Sequence, residues 1–185
     1  SNYTNVHLIQ GDILKLDPTH LMHNFGVGAG GYLVVANIPY YITSALLRHL
    51  LEADLRPNRM ILTVQLEVAE RICAVPGEMS LLALSVQVYG KPRIMARIPA
   101  GAFYPTPKVD SAVVRVDIDP TPRIAEGHLE TFFRLAKAGF SQKRKTLRNA
   151  IAGGMGLSSE KSQAILKTAG IDPKRRAETM SLEEW

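Results

Sequence analysis

Tyr32-Leu33-Val34-Val35-Ala36-Asn37-Ile38-Pro39-Tyr40 decides the fold. An uninterrupted apolar run stops at an asparagine, followed by an apolar residue, a proline and an aromatic. Such a run, with no polar alternation, suits a strand buried on both faces of a parallel sheet. Just downstream, Ile42, Leu46, Leu47, Leu50 and Leu51 recur at helical spacing, with Thr43 or Ser44 placed to cap the helix and Pro57 to end it. Residues 59–65 form a second apolar run. Strand, helix and strand joined by short connections make a crossover unit of an α/β sheet.

Upstream of this unit, Val6-His7-Leu8-Ile9 is a short strand-like run closed by Gln10-Gly11-Asp12. Downstream, the pattern gives a helix over 66–74, a turn at Pro76-Gly77 and a helix over 80–89. Strand-like segments over 93–98 and 109–117 flank a Pro-rich loop, 99–108. They are expected to close a mainly parallel sheet with an antiparallel pair. Past Pro120 and Pro122 the chain reads as helical. Leu129, Phe132, Phe133, Ala136 and Phe140 share one face, and shorter helices follow over 145–151 and 159–168, punctuated by Gly153-Gly154, Gly156 and Gly170. The expected organisation is an α/β body over 1–120 and a small all-α domain over 121–185.

Composition narrows the class. A chain of 185 residues, 46% hydrophobic and 21% charged, can bury a core as one domain or a domain with an appendage. No apolar run approaches the roughly 18 residues that span a bilayer. The first residues have no signal-peptide pattern, so a cytoplasmic location is the default. Cys73 is the only cysteine, which excludes an intrachain disulfide and a cysteine zinc cage. The five histidines show no metal spacing, and the pair His20 and His23 reads as surface residues of a loop. The net charge is +5. Residues 1–120 carry 10 basic and 10 acidic side chains, whereas residues 121–185 carry 12 and 7. A basic appendage on a neutral body suits a polyanion-binding module, or else a solvated helical surface.

In open α/β sheets ligands bind beyond the carboxyl ends of strands, which is where Asn37-Ile38-Pro39-Tyr40 falls. An exocyclic adenine amine is a poor nucleophile because its lone pair is delocalised into the ring. An Asn side-chain oxygen and a nearby main-chain carbonyl can accept hydrogen bonds from its two N–H groups and orient the lone pair toward an incoming methyl. Pro39 stiffens the loop, and Tyr40 offers a ring for an extruded base. The same tetrad could equally be a strand-ending turn whose Asn caps the next helix.

Several motifs together carry a resemblance. Asn37-Ile38-Pro39-Tyr40-Tyr41-Ile42-Thr43, Gln65-Leu66-Glu67-Val68-Ala69-Glu70-Arg71 and the segment from Phe103-Tyr104-Pro105-Thr106-Pro107-Lys108-Val109-Asp110-Ser111 to Val114 resemble motifs of the KsgA/Erm rRNA adenine dimethyltransferases. Phe140 to Asn149 and Gly170 to Glu178 resemble C-terminal signatures of the KsgA branch. The resemblance implies a Rossmann-like class I methyltransferase sheet and transfer of two methyl groups from S-adenosylmethionine to N6 of adjacent adenines in small-subunit rRNA, with a role in ribosome assembly. It implies a direct displacement, with no metal and no covalent enzyme intermediate. It makes Asn37, Ile38, Pro39, Tyr40 and Phe103 the catalytic set, with Tyr40 and Phe103 sandwiching the adenine. Asp12 and Asn37 face the cofactor, although Asp12 could instead cap residues 13–16. Lys108, Lys143, Arg144, Lys145 and Arg148 are expected RNA contacts, and Lys174-Arg175-Arg176 is a second basic cluster. The rivals are an Erm-like enzyme acting on large-subunit rRNA and a non-catalytic ribosome-binding protein.

A methyltransferase of this class opens with strand, Gly-rich loop and helix, then a second strand ending in an acid. The sequence begins at what resembles the third strand, so the sheet is expected to be incomplete, with an exposed edge. The stretch Gly26-Val27-Gly28-Ala29-Gly30-Gly31 precedes its strand and is read as a flexible loop, because a cofactor loop follows a strand and opens a helix. Ser1-Asn2 reads as an expression remnant. The cofactor is accordingly expected to bind these residues weakly.

Overall fold

The computed structural model describes residues 3–28 and 31–185. Ser1-Asn2 and the Ala29-Gly30 part of the glycine stretch lie outside the described residues. Helix α1 (Pro18–Asn24) precedes β1 (Leu33–Asn37), α2 (Thr43–Leu51), β2 (Arg59–Gln65), α3 (Leu66–Ile72), α4 (Leu81–Gln87), β3 (Gly90–Ile98) and β4 (Ser111–Ile118). Helices α5 (Leu129–Phe140), α6 (Leu147–Met155) and α7 (Ser159–Thr168) complete the order.

The sheet runs β1-β2-β4-β3. The β1–α2–β2 crossover gives one parallel ladder, Leu33 to Asn37 against Arg59 to Thr63. Strand β4 returns antiparallel and inserts between β2 and β3, pairing with both. Among the described residues the sheet is therefore mixed, with two antiparallel ladders to one parallel, not mainly parallel. Burial on both faces is also not observed. In β4, Ala112, Val114 and Val116 are buried and alternate with half-buried Val113, Arg115 and Asp117. In β1, Leu33 and Val35 are exposed. An apolar run reports hydrophobicity but not how many faces are covered.

Val6-His7-Leu8-Ile9 forms no strand, and Leu8 is 95% exposed. A strand needs a neighbour's N–H and C=O groups, and this segment pairs with none of the described strands. The histidine pair lies on α1 rather than in a loop; Asp17 caps that helix by accepting from the Thr19 and His20 amides at 2.8 and 3.2 Å. Helix α2 has no side-chain cap. Thr43 Oγ1 donates backward to the Tyr40 carbonyl, and the helix ends at Leu51, well before Pro57.

One core packs α2, α3 and α4 against the buried sheet face and also takes in Phe132, Ala136 and Leu182. A second gathers Leu147, Ile151, Leu166, Ile171, Ala177 and Met180. Phe140 and Trp185, stacked at 5.6 Å, touch both cores. The Tyr32 hydroxyl donates to the Leu55 carbonyl at 2.9 Å, and burial pushes its pKa up to about 12.

Gly153 and Gly154 lie inside α6 rather than ending it. A Cβ on Gly154 would come within 2.5 Å of the Ala138 Cβ, so the glycine is what lets α6 approach α5. Alanine there would gain about 1 kcal/mol of helix propensity but overpack the interface at a cost of roughly 1–3 kcal/mol. Gly154→Ala is expected to lower the melting temperature; a melt showing it unchanged or raised would mean the helices separate freely.

Near the end of the chain, Glu184 receives both guanidinium N–H groups of Arg175 and the Ser181 amide. The Arg175 bonds, then the Ser181 amide, draw its pKa down from 4.5 to about 2. A lowered folded-state pKa stabilises the protein above the unfolded value and loses that contribution as pH falls through the folded one. The melting difference between the wild type and Glu184→Gln should be full at neutral pH and shrink between pH 4.5 and 2. A difference independent of pH in that window would contradict the assignment.

Candidate active site

Asn37 closes β1 opposite Thr63 and is exposed. Ile38 is buried, and its amide donates to the Thr63 carbonyl at 3.2 Å, carrying the ladder one residue past the strand. Pro39 then turns the chain into a one-turn 3-10 helix, Tyr40–Ile42, and its carbonyl accepts from the Ile42 amide at 3.1 Å. The Ile38 carbonyl has no hydrogen-bond partner among the described residues. An exposed amide side chain and an open carbonyl thus stand one residue apart at the carboxyl end of β1.

Tyr40 is held at two points. Its carbonyl accepts from Thr43 Oγ1 at 3.1 Å, and its hydroxyl hydrogen-bonds with Ser111 Oγ at 2.7 Å. Ser111 opens β4, paired with Gln65 at the end of β2 and Ile98 at the end of β3. The preceding residue, Asp110, has two bonds: its carbonyl accepts from the Leu66 amide and its carboxylate from the Ala100 amide, each at 2.9 Å. Ala100 begins a one-turn 3-10 helix, Ala100–Ala102, that leads into half-buried Phe103. The structure therefore gathers the ends of β1, β2 and β3, the start of β4 and the root of the Phe103 loop at one end of the sheet. Among the described residues the rings of Tyr40 and Phe103 are not in contact with each other. Lys108 is exposed on the same loop.

Asp12 lies in an exposed turn. Its carboxylate accepts from the Leu14 amide at 3.1 Å and stands 3.9 Å from Lys15 Nζ, while its carbonyl accepts from the Lys15 and Leu16 amides. The local capping reading holds there as a turn, not a helix. No described group of three His, Cys, Asp or Glu side chains could hold a metal ion, and no helix among the described residues is long and apolar enough to cross a membrane.

The basic residues divide into two kinds. In the second cluster, Arg175 is bound to Glu184, and Arg176 lies 3.7 Å from Glu178. Lys143, Arg144 and Lys145 are exposed and have no ion-pair partner among the described residues. Arg148 is half-buried and directed to Gln163 at 3.1 Å. Two grooves meet at Arg71. One, of about 790 Å³, lies between α2, α4 and α5 and is lined by Arg48, Arg71, Arg134 and Lys137; the other, of about 680 Å³, adds Lys143 and Lys145. Sequence reading missed Arg48, which lies on α2, and Arg134 and Lys137, which share α5, because only packing brings the two helices to one groove. It also missed Ser111, although that residue ends a quoted motif.

The family model for ribosomal RNA adenine dimethylase matches residues 1–185. The "Ribosomal RNA small subunit methyltransferase A" of Dehalococcoides mccartyi (strain CBDB1) is 52% identical over 184 residues, covering 99% of this chain and 62% of that protein. The protein of the same description from Pelotomaculum thermopropionicum is 42% identical over 189 residues, covering 98% and 64%. The chain thus spans less than two thirds of the length of these relatives. Among solved structures, a dimethyladenosine transferase from Plasmodium falciparum superposes with a TM-score of 0.78 at 22% identity, covering 98% of this chain and 70% of that one. The 23S rRNA methyltransferase ErmE gives 0.72 at 22%, covering 100% and 70%. At that identity the two structures speak for the fold, a class I methyltransferase sheet with a helical C-terminal part. With the matching family model and the shared motifs, the chain belongs to the ribosomal RNA adenine dimethylase family.

Proposed function

We propose that the whole protein dimethylates N6 of adjacent adenines in small-subunit rRNA and acts on the immature small ribosomal subunit during assembly, in the cytoplasm. The observation that carries this reading is the pairing of the exposed Asn37 side chain with the open Ile38 carbonyl at the end of β1. Two acceptors at that spacing suit the two N–H groups of one amine. Their hydrogen bonds pull electron density toward nitrogen and favour the tetrahedral geometry that attack on a methyl group requires. The Pro39 carbonyl already accepts from the Ile42 amide inside the turn, which supports the Ile38 carbonyl as the acceptor. Tyr40 and Phe103 are the walls between which the base stacks.

S-adenosylmethionine supplies the methyl group. Asn37 and Asp12 are the residues here that would hold it; Asp12 fits only in part, since one carboxylate oxygen already caps its turn. Among the described residues no Gly-rich loop follows a strand and opens a helix. Losing several hydrogen bonds of about 1–3 kcal/mol each weakens affinity by orders of magnitude. Calorimetry on these residues alone should find no micromolar binding; finding it would refute the weak-cofactor reading.

The relatives at 42–52% identity are named for the small subunit, which favours that substrate over an Erm-like one. In the division of labour proposed here, residues 1–120 carry the chemistry and residues 121–185 grip RNA through Lys143, Arg144 and Lys145, with Lys108 on the loop and Arg148 beside them. The main test is methyl transfer to RNA with adjacent adenines by the full-length protein. Asn37→Ala should slow it about 100-fold, within the range seen when one oriented polar group is removed. Transfer unaffected by that change, or mapped to large-subunit rRNA, would defeat the proposal. RNA binding without any transfer would favour the non-catalytic rival.

The grip has its own signature. Removing one cation that neutralises a phosphate lowers the slope of log affinity against log salt by about 1. Lys143→Ala and Lys145→Ala should each do so and weaken binding across sequences. Arg176→Ala, already paired with Glu178, should leave the slope alone. Equal slopes for all three would remove the lysines from the interface.

A further inference from the structure

Three polar side chains are buried among the described residues: Thr43, Ser111 and Ser162. Ser162 bonds the Arg148 carbonyl within the helical part. The other two both bond Tyr40, one at its carbonyl and one at its hydroxyl. Thr43 is three positions away, as any turn could arrange. Ser111 is 71 positions away and fully buried. It has the same strand parity as Val113, Arg115 and Asp117, which are only half-buried. Alanine would satisfy a buried strand position without a hydroxyl to desolvate, so packing does not account for a serine. The Tyr40 hydroxyl does.

We propose that Asp110-Ser111 is a positioning pair that sets the two aromatic walls of the base site relative to each other. This rests on the methyltransferase reading above. Ser111 fixes the ring of Tyr40 through its hydroxyl, so with Thr43 the residue is pinned at both ends and the ring cannot swing away from β4. Asp110, the adjacent residue, fixes the root of the Phe103 loop through the Ala100 amide and ties the same point to the start of α3 through Leu66. One dipeptide at the start of β4 thereby holds both walls. The Tyr40 hydroxyl is a positional group, not a proton carrier. It is spent on Ser111, and the ring face remains for the base.

The test is a double-mutant cycle on the full-length protein, using Ser111→Ala, Tyr40→Phe and the double variant. Single-turnover methyl transfer is measured at saturating S-adenosylmethionine and RNA, beside melting temperature and the quenching of 2-aminopurine placed at the target adenine. Each single variant removes the same bond from one side. Each should slow transfer about tenfold and reduce the quenching, with RNA affinity nearly unchanged, and the double variant should be no slower than either single. Ser111→Ala at full rate and full quenching would overturn the proposal, as would rate losses that multiply in the double variant. A rate loss that only follows the melting temperature, with quenching intact, would make Ser111 structural and equally end it. A wild type that transfers no methyl group to RNA would instead bring down the methyltransferase reading, and the positioning role with it.

Discussion

Ser111 sits opposite Gln65 on one side and Ile98 on the other, and the rest of the molecule follows from that register. Side chains alternate strictly along a strand, so a one-residue slip of β4 would move Ala112, Val114 and Val116 out of the core and expose them. Burying that apolar row is what forbids the slip. Once the row is in place, the amino end of β4 must meet the carboxyl ends of β2 and β3, and the parallel β1–β2 ladder brings the end of β1 to the same rim. The hydrophobic core thus sets where Tyr40, Asp110 and Ser111 meet, though none of them is part of it.

Charge is arranged by the same packing. The excess of basic residues is all in 121–185, but much of it is spent internally. Arg175 clamps Glu184, Arg123 reaches Asp119 and Glu183, and Arg176 leans on Glu178. Exposed pairs of this kind contribute little stability each; their effect is to remove those cations from the pool available to a polyanion. Of the cations without an ion-pair partner among the described residues, Arg71, Arg134, Lys137, Lys143 and Lys145 line the two grooves that meet at Arg71, where Arg48 is paired with Glu52.

The sequence was most readable where structure is local. The β1–α2–β2 unit, the bounds of β2 and α7, and the tetrad at the end of a strand can be read from runs, periodicity and caps acting within about ten residues. The failures are of another kind. Val6 to Ile9 has the composition of a strand, but pairing makes a strand. The mixed character of the sheet depends on β4 choosing a place between β2 and β3, a non-local choice that no window contains. Gly153-Gly154 resembles a stop, but it lies inside α6, where Gly154 is a contact with Ala138 on another helix. Ser111 was visible as the last letter of a motif, yet its partner is 71 positions away and only the fold introduces them. The motifs located the site. The walls and acceptors were proposed from the motifs and the resemblance, and the hydrogen bonds added Ser111 and Asp110 as their proposed supports.

On the proposed reading the methyl acceptor must be taken out of a stack, which makes rigidity matter more than contact area. Unstacking a base costs a few kcal/mol, and each aromatic wall returns about 1–3 kcal/mol. The balance is close enough that ordering a wall at the moment of binding would consume the return, since immobilising one rotamer-rich side chain costs about 0.5–1.5 kcal/mol. A ring held at both ends before the base arrives avoids that cost, and so does a loop whose root is fastened by a carboxylate. The buried hydroxyls of Thr43 and Ser111 can be understood in these terms. They are desolvated in the free protein, during folding, so that on the proposed reading Tyr40 need not be ordered on the nucleic acid. On the proposed reading, such a site gives up some stability in the resting fold and gains preorganisation at the rim of the sheet, where Asn37 and Ile38 would take the amine in a single orientation.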